Sequence, residues 1–216
     1  FLELRIANMK YKELEGYLQG VSVFSNPKVH LEQYPTSPLI ASHMLLTIDQ
    51  VYDDMSEKFV LDLGCGCGVL TIGSALVGAS CCTGVDIDPE ALSQCRQNVD
   101  EFELKNVELL QSNIVALPTL FNEPYFDTVI MNPPFGTKDN QGVDMIFLET
   151  ATKLCNGVIY SLHKTSTQKH ILKVVKQWGW FPEVVAQLSF DIPKMYKFHR
   201  KQQKDIDVDL IRLCKE

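Results

Sequence analysis

The chain has no apolar stretch of about 18 residues, the least that crosses a bilayer as a helix, so no membrane-spanning helix is expected. Its start, Phe1 to Met9, lacks the basic-then-apolar layout of a secretion signal. Met9-Lys10 is readable as a natural start, with residues 1 to 8 as an extension of it. The chain also lacks repeats, low-complexity tracts and linkers, which leaves one domain as the expected organisation. An excess of positive charge is missing too. A net charge of −7 excludes a broadly basic protein that coats nucleic acid, since phosphate affinity comes from clustered Lys and Arg. The seven cysteines lack the C-x2-C spacing of a zinc site. Cys65, Cys67, Cys81 and Cys82 sit at strand and strand-end positions, where cysteine serves as a small hydrophobe. An odd cysteine count in a chain of this size points to a reducing compartment, cytosol or nucleus.

What is present is a long apolar and polar alternation. At 216 residues and 45% hydrophobic content the chain can bury about 70% of its unfolded surface. A short amphipathic helix is expected from Lys10 to Leu18, and a second begins at Pro38, after Ser37, and runs through Ile48. From Phe59 onward strands and helices alternate. The expected strands are Phe59–Leu63, Cys81–Ile87, Val107–Gln111, Phe126–Met131, Gly157–Leu162, Val184–Phe190 and Asp205–Leu213. Helices are expected at Val69–Val77, Pro89–Phe102, Met145–Leu154 and Thr167–Gln177, with Asp88 as an N-cap. Apolar strands separated by helices imply an α/β fold, a mostly parallel seven-stranded sheet covered on both faces. The last two strands have no helix between them, so they should pair antiparallel. Residues 59–216 form the expected Rossmann-like core, and 1–58 a helical extension with a loop that closes a cofactor site.

Two motifs carry chemistry. Gly64, Gly66 and Gly68 follow the first strand and open a helix, which lets the backbone turn sharply and approach a ligand. Asp86 ends the second strand, where a carboxylate can accept from both ribose hydroxyls. The spacing D-x-G-x-G-x-G departs from the dinucleotide fingerprint and resembles the S-adenosylmethionine site of Rossmann-like class I methyltransferases. In that family the third strand end usually supplies an Asp for the adenine amine. Here Asn113 stands there, able to accept through its side-chain oxygen but without the charge.

The second motif is Asn132-Pro133-Pro134-Phe135, after the fourth strand. Methylating an aromatic amine is hard because its lone pair is delocalised into the ring. Acceptors on the two N–H groups, the Asn132 side-chain oxygen and the Pro133 carbonyl, favour a pyramidal nitrogen. Two prolines fix the turn, and Phe135 can stack on the base. A basic stretch, Lys194, Lys197, His199, Arg200, Lys201 and Lys204, is interleaved with Tyr196 and Phe198, a candidate nucleic-acid patch. His163 and Lys164 are expected just past the fifth strand, either steering RNA phosphate or in a surface loop. Trp178 and Trp180 are expected in the core, and His30, His43 and His170 in structural or surface positions.

Taken with Leu31-Glu32-Gln33-Tyr34-Pro35-Thr36, Tyr160-Ser161-Leu162-His163-Lys164 and Tyr196-Lys197-Phe198-His199, these motifs resemble the methyltransferase-like protein 5 family of small-subunit ribosomal RNA adenine-N6 methyltransferases. The resemblance implies cofactor contacts at Gln33, Thr36, Gly64, Gly66, Cys67, Val69, Asp86 and Asn113. It places Asn132, Pro133, Pro134 and Phe135 at the target adenine, with Lys164, Lys197, His199, Arg200 and Lys201 toward RNA. It also implies a small zinc-binding activator subunit as partner, and residence in nucleus, nucleolus and cytoplasm. The third strand, at a sheet edge, is the expected docking site for that partner. Other readings stay open at this point: a protein glutamine methyltransferase, a DNA adenine methyltransferase, or an idle cofactor-binding scaffold.

Overall fold

In a computed structural model the chain is described at residues 9–136, 140–193 and 203–215. Two helices lead, α1 (Tyr11–Leu18) and α2 (Pro38–Gln50), with a 3-10 turn at Val29–Leu31 between them. Pro38 opens α2 without wasting a backbone N–H, and the Ser37 hydroxyl accepts from the Ile40 amide at 3.3 Å. The alternating part follows: β1 (Phe59–Leu63), α3 (Val69–Val77), β2 (Cys81–Asp86), α4 (Pro89–Glu101), β3 (Val107–Gln111), β4 (Phe126–Met131), α5 (Val143–Leu154), β5 (Cys155–Lys164), α6 (Gln168–Gln177), β6 (Phe181–Pro193) and β7 (Gln203–Cys214).

The seven strands lie in the order β3-β2-β1-β4-β5-β7-β6. Pairing is parallel from β3 to β5, while β7 runs antiparallel between β5 and β6. The β6–β7 hairpin expected from the missing helix is therefore present, and β7 wedges into the sheet beside β5. The expected bounds of β1, β3, β4 and α3 coincide with the observed ones. By contrast β5 runs two residues further, to Lys164, because it is paired with β7 through Lys164 opposite Val208.

Strand periodicity explains the two cores. Val60, Cys82, Ile130, Tyr160 and Leu162 face one side, where Leu14, Leu45, Ile72 and Val99 of α1 to α4 cover them. Leu61, Leu63, Val85, Val129 and Ile159 face the other side, under Leu148 and Leu154 of α5 and Ile171 and Val175 of α6. Successive residues point to opposite faces, so each strand serves both cores. The extension that holds α1 and α2 packs into the first core, together with α3. Trp180 is buried in the second core and Trp178 packs against it, as expected. At the opposite end of the sheet from the glycine loop, Asp54 accepts from the Tyr160 hydroxyl at 2.7 Å and from Arg212 at 3.0 and 3.1 Å. Burial, with the Asp54 charge beside it, pushes the Tyr160 phenol well above its ordinary range.

Candidate active site

The carboxyl ends of β1, β2, β3 and β4 converge on a cavity of about 320 Å³. This is where ligands sit in open α/β sheets, because the strand order reverses between β1 and β4 and leaves a crevice. Gly64, Gly66 and Gly68 have φ of 77°, 54° and 90°, values that disfavour any side chain. A Cβ on Gly66 would come within 2.8 Å of the Phe24 ring, and one on Gly68 within 2.4 Å of the Cys95 sulfur. The loop is thus pressed between a ring from the N-terminal segment and the helix behind it.

Asp86 anchors this loop from below. One carboxylate oxygen accepts from the Gly66 amide and the other from the Asp88 amide, each at 2.9 Å. Burial raises its pKa, while those backbone N–H groups oppose the rise. Both oxygens keep further acceptor capacity, so the ribose role expected of Asp86 is compatible with this tie. Asp62, fully enclosed beneath the cavity, accepts from the Thr71 hydroxyl at 2.6 Å. Desolvation pushes its carboxyl up to about 7, against the Thr71 hydrogen bond. Cys67 and Val69 line the same wall, and burial pushes the Cys67 thiol up to about 12. All seven cysteines are free thiols. Among the described residues no group of three His, Cys, Asp or Glu is arranged to hold a metal.

A strap, residues 22–36, roofs the cavity. It is fastened by Asn98 of α4, a residue no motif pointed to. The buried Asn98 amide donates to the Ser22 and Cys67 carbonyls, each at 2.8 Å, and accepts from the Ser22 amide at 3.1 Å. Gln33 is the second fastening. Its oxygen accepts from the Lys28 amide and its nitrogen donates to Asp88, both at 2.7 Å. Gln33 lines the cavity, yet its amide is spent on shaping the strap rather than pointing freely inward. Lys28 completes the latch at 2.6 Å from Asp88. Burial alone would raise the Asp88 carboxyl, but the Lys28 ammonium and Gln33 amide together hold it below the usual range.

Across the cavity, Asn113 takes the place expected at the end of β3, and its side-chain oxygen accepts from the Val115 amide at 3.0 Å. Exposed Ile87 and Val115 give that end of the cavity two apolar side chains. Asn132 and Pro134 line the other end, and Thr36 lies between, 3.0 Å from the Asn132 amide nitrogen. Pro133 is buried and does not line the cavity. The half-buried Phe135 ring packs against the first core and is not part of the cavity wall. Lys164 sits beside it. Its ammonium donates to the Phe135 carbonyl at 3.0 Å and lies 6.0 Å from the ring.

His163 is neither a phosphate-steering group nor part of a surface loop. It is inside β5 and only 1% exposed, with Nε2 at 2.8 Å from the Ser161 hydroxyl and Nδ1 at 3.4 Å from Asp144. Lys197, His199, Arg200 and Lys201 lie outside the described residues.

A family model described as a methyltransferase domain matches residues 54–206. The chain is 54% identical to the rRNA N(6)-adenosine-methyltransferase METTL5 of Danio rerio, over 94% of this chain and 98% of that one. It is 48% identical to the corresponding enzyme of Drosophila melanogaster, over 96% of this chain and 97% of the relative. The chain belongs to the methyltransferase-like protein 5 family. Among solved structures, that of a candidate RNA methyltransferase from Pyrococcus horikoshii superposes with a TM-score of 0.82. It is 36% identical and covers 96% of this chain and 98% of its own. Membership makes the domain a class I methyltransferase.

Proposed function

We propose that this protein transfers the methyl group of S-adenosylmethionine to N6 of an adenosine in small-subunit ribosomal RNA. The observation that carries the reading is the continuity of one cavity from the glycine loop and Asp86 to Asn132 and Pro134. A donor pocket closed off from the Asn132 turn would have been incompatible with transfer. The rRNA N(6)-adenosine-methyltransferase names of its relatives support the choice of acceptor.

The residues present fit the donor. The glycine loop brings backbone to the cavity wall in a tight turn, Asp86 suits a ribose, and Ile87, Asn113 and Val115 suit an adenine. Thr36 and the strap cover the methionyl side. The bound donor supplies an electrophilic methyl carbon. The chain's own part is to hold the acceptor: Asn132 Oδ1, on the cavity wall, receives an N6–H group. That draws the nitrogen lone pair out of conjugation and aims it at the methyl. The proton displaced from N6 after transfer leaves to solvent, so no buried general base is required. The target base leaves its stack first, at a cost of a few kcal/mol.

Lys164, with Lys197, His199, Arg200 and Lys201, contributes positive charge toward the RNA backbone in this reading. A small zinc-binding activator subunit pairs with the edge strand β3, and the protein works in nucleus, nucleolus and cytoplasm. The test is a labelled-methyl assay on ribosomal RNA, with nuclease digestion and nucleoside mass spectrometry of the product. Label released as N6-methyladenosine is expected. Label that survives nuclease on protein would replace this reading with glutamine methylation. Asn132→Ala is expected to bind donor as wild type does in calorimetry and to lose methyl transfer.

A further inference from the structure

We infer that Lys164 is a positioning residue whose ammonium holds the Asn132-Pro133-Pro134-Phe135 turn where the Asn132 oxygen can meet the acceptor nitrogen. The inference rests on the reading of Asn132 as the hydrogen-bond acceptor for N6. β4 and β5 pair as a ladder from Phe126 opposite Cys155 to Met131 opposite Ser161, and there the pairing ends. Pro133 and Pro134 follow, and neither has an N–H with which to continue it. The segment that carries the reactive amide has thus left the sheet and needs another fastening.

The end of β5 supplies it. This strand runs past its last pair with β4, through Leu162 and His163 to Lys164, because β7 keeps pairing with it on the other side. From that overhang the Lys164 ammonium donates to the Phe135 carbonyl at 3.0 Å. An ammonium can only donate and a carbonyl can only accept, so the direction of this bond is fixed. It is also charge-assisted, and so stronger than a bond between neutral groups. His163, the preceding residue, reaches α5, the next helix after the turn. Its Nδ1 lies 3.4 Å from Asp144, in the first turn of that helix. Val143 and Ile146 of the same helix line the cavity, whereas His163 and Lys164 do not. Two adjacent residues of one strand therefore hold the turn and the helix that follows it, from outside the donor pocket. An ammonium has three protons, so the bond to Phe135 leaves Lys164 able to face the RNA backbone as well.

Lys164→Met keeps a long stem and removes the donor, whereas Lys164→Arg keeps a charged donor. Full-length wild type and variants are compared on transcribed small-subunit rRNA, with RNA and donor raised until the rate saturates. Donor affinity is measured by calorimetry and folding by thermal melting. Lys164→Met is expected to lower kcat by about 10- to 100-fold, the cost of a turn displaced by about an ångström, with donor Kd within about 3-fold of wild type. Lys164→Arg is expected to keep kcat within about 5-fold, since a guanidinium also gives a charge-assisted bond. A lysine that serves RNA charge alone gives another result: Met then raises RNA KM and lowers the salt slope by about 1, while kcat at saturation stays full. That result overturns the inference, as does a donor Kd weakened in step with kcat, or an Arg variant as slow as Met. Should the Met variant fail to fold, Lys164→Ala is read by the same criteria. A wild-type chain that places no methyl on rRNA adenine overturns the parent reading instead, so the two failures are distinguishable.

Discussion

Asp62 is almost fully buried, with the Thr71 hydroxyl and the Asp86 charge acting on its proton, so its charge is written into the pH dependence of stability. Its folded pKa, about 7, lies above the unfolded value near 3.8. Between those values the folded chain keeps a proton that the unfolded chain has released. The stabilisation is therefore fully present below about pH 4 and is lost as pH rises through 7. Melting of the donor-free protein should fall between pH 5.5 and pH 8, and Asp62→Asn should flatten that fall while preserving the Thr71 bond. An unchanged slope would remove the carboxyl from the account. Asn98 makes the complementary point about neutral groups. Asn98→Ala strands the Ser22 and Cys67 carbonyls and should cost about 1 to 3 kcal/mol in denaturant unfolding. It should also weaken donor binding, since strap and glycine loop lose their common tether.

At the scale of elements, local pattern and tertiary context divide the credit. The bounds of β1, β3, β4 and α3 were legible because short apolar runs end at glycine or polar residues, and those signals are local. The N-caps Ser37 and Asp88 were legible for the same reason, and both side chains accept from the helix N–H groups as expected. What escaped depends on distant partners. Asn98 lies 76 positions from Ser22, and nothing around it in the chain marks it as a fastening. The extra residues of β5 exist because β7 pairs with them, which turns His163 from an apparent loop residue into a buried one. Phe135 was read from its motif as able to stack on a base, and its packing against the first core required coordinates. Gln33 lines the cavity, but its double clamp on Lys28 and Asp88 required coordinates. The central strands also set the energetic scale. Leu61, wholly buried in the second core, should cost about 2 to 5 kcal/mol when cut to Ala, measured by denaturant unfolding.

The whole molecule has two unlike sheet edges. β6 carries the long hairpin with β7, while β3 is a five-residue edge with Leu109 and Leu110 only partly covered. An uncovered apolar edge invites strand pairing, and it is the surface that the proposed activator subunit would use. Leu110→Lys should leave the circular dichroism of the isolated chain unchanged and abolish co-elution with the partner. A complex that survives the substitution would sink the proposed interface. The net charge of −7 adds a second expectation. With charge repelling RNA over most of the surface, affinity must come from few cations, so the salt slope of RNA binding should be shallow.

The position of β7 has a consequence for how the protein is made. Because residues 203–214 fill the gap between β5 and β6, neither neighbour has its full set of backbone partners until Cys214 has cleared the ribosomal exit tunnel. Completion of the sheet therefore waits on residues 203–214, and a truncation that removed them would leave β5 and β6 without their shared partner.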